Sequence, residues 1–492
     1  MIRFPDPSRR AVIGGAAAVA AALTARHADA AGPALLSPTA MRADVGLLRR
    51  AYETLHPGLL RYTSPAASAA RFEALAAAAS RPMTLPHFYL TLSRFLATVR
   101  CGHSYANFYN QSKAVRGALF EAPDRLPFAF LWLGERMVVT ADPMGIGIAR
   151  GSEIAAIDGR PAGAILAGLM AVARADGHND AKRRRLMSMQ GEDRYESFDV
   201  FFSLMFGGKT RYRLSVVDPD GRRRAATVEA ISLAERRAHM GAAADASGDK
   251  ALWTIERRGD AALLTMPNWA VYDSKWDWKG WLDAAIDRLV LDKVPRLVVD
   301  LRGNEGGEDC GNLLVSRLIG KPVPSERVRR LVRYRRVPSD LLPHLDTWDH
   351  SWDDWKDAAR PYDARFDELV GPDWGTTIIE PRGTRYTGKV EVLIGPQNSS
   401  ATYQFADLVQ RERLATLIGE PTGGNRRGIN GGCFYFLRLP GTGLEMDLPL
   451  IGLFPTSPQP DQGVTPDVLL PVTREQIAGG IDRQLERALA GA

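Results

Sequence analysis

Residues suited to chemistry gather in two strand–loop–helix segments. In the first, Arg296-Leu-Val-Val-Asp300-Leu-Arg302 has the apolar run of a buried strand. Gly303-Asn304-Glu305-Gly306-Gly307 follows as a tight loop, and Asn312 to Ile319 reads as the next helix. A glycine-rich loop between strand and helix leaves backbone N–H groups free to hold an anion. Phosphate is one such guest, but neither G-x-G-x-x-G nor a G-K-[ST] ending is present. The oxyanion of a reacting carbonyl is the other. The second segment repeats the pattern: Val390 to Ile394 as strand, Gly395 to Ser400 as turn, and Ala401 to Gln410 as a helix facing inward through Phe405, Leu408 and Val409. Ser400 then stands near a helix N-terminus, where the dipole favours developing negative charge by roughly 0.3–1 kcal/mol. The ordinary role of a serine there is an N-cap. Spacing alone leaves Ser399 and Ser400 between cap and nucleophile.

A serine hydroxyl needs a base to become a nucleophile. Of the eight histidines, His27 lies in the leader, His178 and His239 in polar turns, and His56 and His87 beside prolines as loop or helix-start residues. His344 and His350 share a stretch with Asp346, Asp349, Asp353 and Asp354; these are metal-binding types, but the stretch reads as a solvated acidic face with three tryptophans. His103 sits in Cys101-Gly102-His103-Ser104. The three cysteines, Cys101, Cys310 and Cys433, contain no C-x-x-C and allow one disulfide with a free thiol, or no pairing. Cys101 near His103 raises a cysteine nucleophile, though buried free cysteines are commoner.

The elements that position these groups belong to a chain of 492 residues, enough for two or three domains. Hydrophobic residues make up 45% and charged residues 24%, which excludes wholesale disorder and a disulfide-stapled miniprotein. A net charge of +6, with short basic clusters at Lys182 to Arg185 and Arg222 to Arg224 lacking interleaved aromatics, argues against nucleic acid and for solvated basic turns. Ser8-Arg9-Arg10, an apolar run from Ala11 to Leu23 and Ala28-Asp29-Ala30 describe a secretory signal over residues 1–30, of twin-arginine type. The 13-residue run falls short of the roughly 20 residues that span a bilayer. Apolar spacing predicts helices over 40–115 and alternation predicts strands over 120–235. Residues 250–320 and 385–470 carry the strand–helix pattern of an α/β core, interrupted at 320–380 by an Arg-, Trp- and Pro-rich insertion.

Four segments in order carry a resemblance: Val299-Asp-Leu-Arg-Gly-Asn-Glu-Gly-Gly307, Ser399-Ser400-Ala401, Ile418-Gly-Glu-Pro-Thr-Gly-Gly424 and Gly463-Val-Thr-Pro-Asp467. They resemble the serine peptidase family of the tail-specific, or C-terminal processing, proteases and the tricorn core protease. The resemblance covers most of residues 45–472 and implies an α/β fold with a ClpP/crotonase-like core over 250–472. Gly151 to Gly159 is similar to the family's PDZ carboxylate-loop region in divergent form, and Leu55-His56-Pro57 with Cys101 to Ser104 to the N-terminal helical domain of its non-processing members. The processing proteases use a lysine 25 residues after the nucleophile; counting from Ser400 reaches Asn425. The resemblance thus marks Ser400 as nucleophile and removes the usual base. The tricorn branch uses a histidine next to a serine, matched here by His103-Ser104. It places a glutamate shortly before the last motif, where this chain has Asp461 instead, with Glu445 behind it as a second candidate.

These expectations amount to a periplasmic or secreted serine peptidase acting on peptides or proteins. Ser400 attacks, His103 exchanges the proton, and Ser104 with Asp461 holds the imidazole. Ala401 and Gly306 or Gly307 bind the oxyanion. No cofactor, metal, nucleic-acid partner or mature transmembrane segment is implied. Two other outcomes are compatible with the residues: a peptide-binding envelope protein that has lost catalysis, favoured by Asn425, and a small ester or amide hydrolase on the same fold.

Overall fold

A computed structural model describes residues 34–191, 193–240 and 248–491. The predicted leader, with His27, lies outside the described residues. The N-terminal helices begin where the sequence offers caps. Pro38–Leu55, Pro65–Ala78 and Leu85–Thr98 start after Ser37, Ser64 and Thr84, whose side chains accept from the first-turn amides, with proline in the first turn of each. The shorter helix Lys113–Leu119 follows Ser112.

Residues 129–229 hold an antiparallel sheet in the order Ala129–Leu133, Arg136–Ala141, Glu153–Ile157, Arg211–Val217, Arg223–Glu229. The strands are not continuous along the chain. Three helices, Ala162–Met170, Asp180–Leu186 and Ser197–Phe206, intervene. The last is apolar on most sides and buries Phe198, Phe201 and Phe202, so strand-like alternation could not report it.

The α/β core is a six-stranded sheet. Ala261–Thr265, Arg296–Asp300, Lys389–Ile394, Thr416–Gly419 and Val468–Leu469 run parallel, and Thr254–Arg258 adds an antiparallel edge. Its central strands are buried apolar runs, as a sheet covered on both faces requires. Trp278–Leu291, Cys310–Ser316 and Ser400–Arg411 pack on one face through Leu282, Leu314 and Phe405. The other face is covered by the C-terminal helix Arg483–Ala490, whose Ala488 meets Leu263, Val298, Leu393 and Ile418.

The 320–380 insertion is structured. Val328–Val332, Leu345–Asp346, Ala359–Pro361 and Asp367–Leu369 join Asn430–Arg438 and Glu445–Pro455 in a second, antiparallel six-stranded sheet. The acidic stretch expected to be a solvated face is only partly so. Trp352 and Trp355 are buried, Asp353 accepts from Tyr435, and Asp354 pairs with Arg336. This sheet shares one hydrophobic core with the N-terminal helices and the 129–229 sheet, while the parallel sheet has its own. All three cysteines are free and buried. Among the described residues no helix is long and apolar enough to cross a membrane.

Candidate active site

A cleft of about 730 Å³ opens between the two hydrophobic bodies. The parallel core contributes the loop Gly303 to Gly307 and the turn Gln397 to Ser400; the other body contributes Gly102, His103 and Arg174, with Lys182 beside them. Ser400 and His103 therefore face one space, although 297 positions separate them in the chain.

Ser400 is the first residue of its helix and has φ of 51°, a left-handed conformation that a serine adopts only when its surroundings impose it. The imposition is visible. Asn398, fully buried, accepts from the Gly395 N–H and donates to the carbonyls of Leu301 and Asn304, tying the turn to the neighbouring loop. Thr402 donates to the Asn304 carbonyl as well. Ser399 occupies the N-cap position, yet makes no side-chain cap bond; its hydroxyl donates instead to the Glu305 carbonyl at 3.1 Å. The first-turn amides beside Ser400 are left without that cap.

The glycine loop fits against this turn because it has no Cβ. One added to Gly306 would lie 2.8 Å from the Ser399 carbonyl oxygen and 3.1 Å from the Ala401 nitrogen. One added to Gly307, at φ 136°, would lie 2.2 Å from the Trp269 carbonyl. Gly306 donates its N–H to Asn304 Oδ1 at 2.9 Å.

His103 is walled in. Its ring centroid is 5.8 Å from that of Phe434, and its buried Nδ1 has no hydrogen-bond partner among the described residues. Burial lowers its pKa below the usual histidine value, while the charges of Asp176 and Glu305 oppose that shift. Ser104, expected beside the imidazole, is turned the other way: fully buried, its Oγ sits 2.7 Å from His56 Nε2. His56 in turn accepts from the Gly58 N–H, and burial pushes its pKa down to about 3, so it is a neutral structural histidine.

Asp461 is also engaged elsewhere. It sits 2.7 Å from His178 Nδ1, accepts from the His178 N–H and takes a 2.7 Å bond from Asn425. The knot is tight, since a Cβ at Gly177 would lie 2.2 Å from both Asn425 and Asp461. Asn425, at the family's lysine position, is buried within it and bonds the Asp176 carbonyl. Glu445 bonds Arg438 and lies outside the cleft lining.

The cleft brings in charged groups that sequence reasoning missed. Lys182, expected in a solvated basic turn, is 2% exposed. Its Nζ donates to Glu305 Oε1 at 2.7 Å and to the Gln397 carbonyl at 3.0 Å. Arg174 reaches the same Glu305 oxygen at 3.3 Å and donates to the Gly102 carbonyl. Although burial raises it, Glu305 is held down to about 2 by Lys182 and Arg174, so it is a carboxylate throughout the working range. Asp176 accepts from the Gly102 N–H beside His103 at 2.9 Å. The available signal was helical: Asn179 caps Asp180–Leu186, and Lys182 falls four residues before the buried Leu186, on its face.

Residues 260–469 match the model of peptidase family S41. No curated protein matches the chain at a significant level. Among solved structures, mature CPAF complexed with lactacystin superposes with a TM-score of 0.62 at 16% identity, over 92% of this chain and 97% of that one. Mature CPAF alone gives 0.61 at 17% identity, over 92% and 96%. At such identities the likeness is one of fold. The matched segment holds the glycine loop, Ser400 and the parallel sheet that sets them against one another, so residues 260–469 carry the core of a serine-type peptidase of family S41.

Proposed function

We propose that the protein is an exported serine endopeptidase in which Ser400 is the nucleophile and His103 the base. The observation that carries this reading is Ser400 held at φ 51° at the head of its helix, in one cleft with His103. Ser400 Oγ attacks the scissile carbonyl and its proton passes to His103. The N–H groups of Ala401 and Gly307 take the oxyanion, each worth roughly 2.7–4 kcal/mol in comparable sites. His103 then protonates the leaving amine, and water, deprotonated in turn by His103, releases the acyl group. Asp176 and Glu305 supply the negative field that favours the imidazolium, in place of a hydrogen-bonded acid. A fluorophosphonate probe is expected to label the wild type at Ser400 and to leave Ser400→Ala unlabelled, with His103→Ala labelled at least a hundredfold more slowly. Labelling of Ser400→Ala at the wild-type rate would move the nucleophile elsewhere.

Lys182 supports a second reading, because a buried amine faces the same cleft and burial lowers its pKa. Its bond to the Glu305 carboxylate holds it as an ammonium, and an ammonium takes no proton. His103 is therefore preferred.

Export rests on the leader at residues 1–30. Arg9→Lys/Arg10→Lys is expected to leave the precursor in the cytoplasm, seen by fractionation and an uncleaved N-terminus. Normal processing of that variant would assign the general secretory route.

A further inference from the structure

The cleft that holds Ser400 also carries a carboxylate that the proposed reaction does not use. Asp447 lies on the strand Glu445–Pro455 and is 7% exposed. Its register partner is Phe436, so the two side chains share one face of the strand pair, with Phe434 two residues along on that face. Trp348, from the 320–380 insertion, closes the aromatic wall at 6.1 Å from Phe434 and 5.7 Å from Phe436, centroid to centroid. All four line the cleft. Phe434 also packs on His103, which puts this wall next to the proposed base.

Asp447 is fixed from the segment that carries His103. Asn107 donates to its Oδ2 and Asn110 to its Oδ1, both at 2.8 Å, and its own N–H donates to the Tyr105 carbonyl. Both donors are neutral amides. Among the described residues Asp447 has no salt bridge, whereas the two cations that line the cleft, Arg174 and Lys182, both bond Glu305. The carboxyl group is therefore oriented but, among the described residues, not paired with a cation. A buried anion with amides on one side and aromatic rings on the other suits a long cationic side chain, whose stem packs on the rings while its head meets the charge.

We infer that Asp447, with Phe434, Phe436 and Trp348, forms a subsite for a lysine or arginine side chain of the peptide substrate, adjoining the scissile bond. The inference rests on the proposed peptidase reading and adds its substrate class.

Titration of the same carboxylate gives an independent readout. Burial pushes Asp447 up to about 7; Glu445 on its own strand raises it further, while Asn107, Asn110 and Arg174 lower it. A cationic side chain needs the ionised form, so preference for the basic substrate should grow as pH rises through about 7. Taking the ratio of two substrates at each pH cancels the titration of His103.

The experiment compares three fluorogenic peptides identical except for lysine, norleucine or glutamate at one position beside the cleavable bond, scanned on both sides. In the wild type, kcat/KM for the lysine peptide should exceed that for norleucine by roughly tenfold or more at one position, with glutamate lowest. Asp447→Asn, nearly isosteric and checked by thermal melting, should collapse the lysine-to-norleucine ratio toward one and remove its pH dependence. Equal turnover of the three peptides by the wild type, or an equal loss on all of them in Asp447→Asn, would overturn the subsite. If no peptide is turned over, the same peptides are titrated by fluorescence anisotropy. Tighter binding of the lysine peptide, lost in Asp447→Asn, then upholds the subsite while the catalytic reading fails; equal binding sinks both.

Discussion

Two groups in the cleft are candidates to take the Ser400 proton, and their ordinary titration ranges differ by four pH units: His103 starts from 6.5 and Lys182 from 10.5. Burial lowers both. A base works only when deprotonated, so a lowered histidine pKa shifts the acidic limb of kcat/KM downward and leaves activity level above it. The expected profile on a peptide lacking ionisable side chains is a single limb below about pH 6.5. A limb above pH 8 would hand the role to Lys182. His103→Ala is expected to lower kcat/KM by roughly 10³-fold or more. Asn425→Ala should instead act on stability, since it strips a bond from Asp461 and leaves the buried Asp176 carbonyl unmet, costing about 1–3 kcal/mol. Its activity, per folded molecule, should stay within an order of magnitude of the wild type. A parallel loss of both would show that the 425 position still carries chemistry without an amine.

At the scale of elements, the site depends on a short helix from one body gripping a loop of the other. Lys182, on Asp180–Leu186, bonds Glu305 in the loop after Arg296–Asp300. Removing one partner of a buried pair commonly costs about 3–5 kcal/mol. Here the Glu305 side chain is 32% exposed and keeps Arg174, so the cost of Lys182→Met should be nearer roughly 1–3 kcal/mol. Lys182→Met/Glu305→Gln deprives Arg174 of its carboxylate as well, so the double variant should be less stable than the single one in urea denaturation. Equal stability of the two would mean that Arg174 does not hold Glu305 once Lys182 is gone. Activity adds a second test, because under the His103 reading the double variant remains a peptidase.

The whole molecule is closed by its C-terminal segment. Arg474, at the start of the helix Arg474–Gly479, donates to the carbonyls of Gly151, Val217 and Asp218 on the 129–229 sheet. A Cβ at Gly151 would fall 2.4 Å from that of Ala478, so the two surfaces meet without room for a side chain. A few residues on, Asp482 bonds Arg302 and Arg483–Ala490 lies on the parallel sheet. The segment thus pins the antiparallel sheet to the core that holds Ser400. Arg474→Ala leaves three carbonyls without their donor and should loosen this junction before either body unfolds. Amide exchange is expected to rise around 151 and 217–218 while the strand Lys389–Ile394 stays protected. Uniform exchange across both would mean the two bodies open as one.

The sequence by itself determined the parallel sheet and the glycine loop. Those features are local: an apolar run at 296–302, and glycines at 306 and 307 where an added Cβ would lie within 3 Å of a neighbouring atom. The N-terminal helices over 40–115 were equally legible, because apolar spacing along a helix is a local pattern. Pairings across the chain were not. Ser104 was expected to hold His103 and bonds His56; Asp461 was expected to hold it too and bonds His178 and Asn425. Lys182 and Arg174 gave no sign that they would meet Glu305, more than 120 positions away. A side chain's type limits what it can bond, but its partner is chosen by which buried polar groups packing brings within 3 Å. At the edges of this cleft, that choice is made between two hydrophobic bodies whose contact only the folded chain defines.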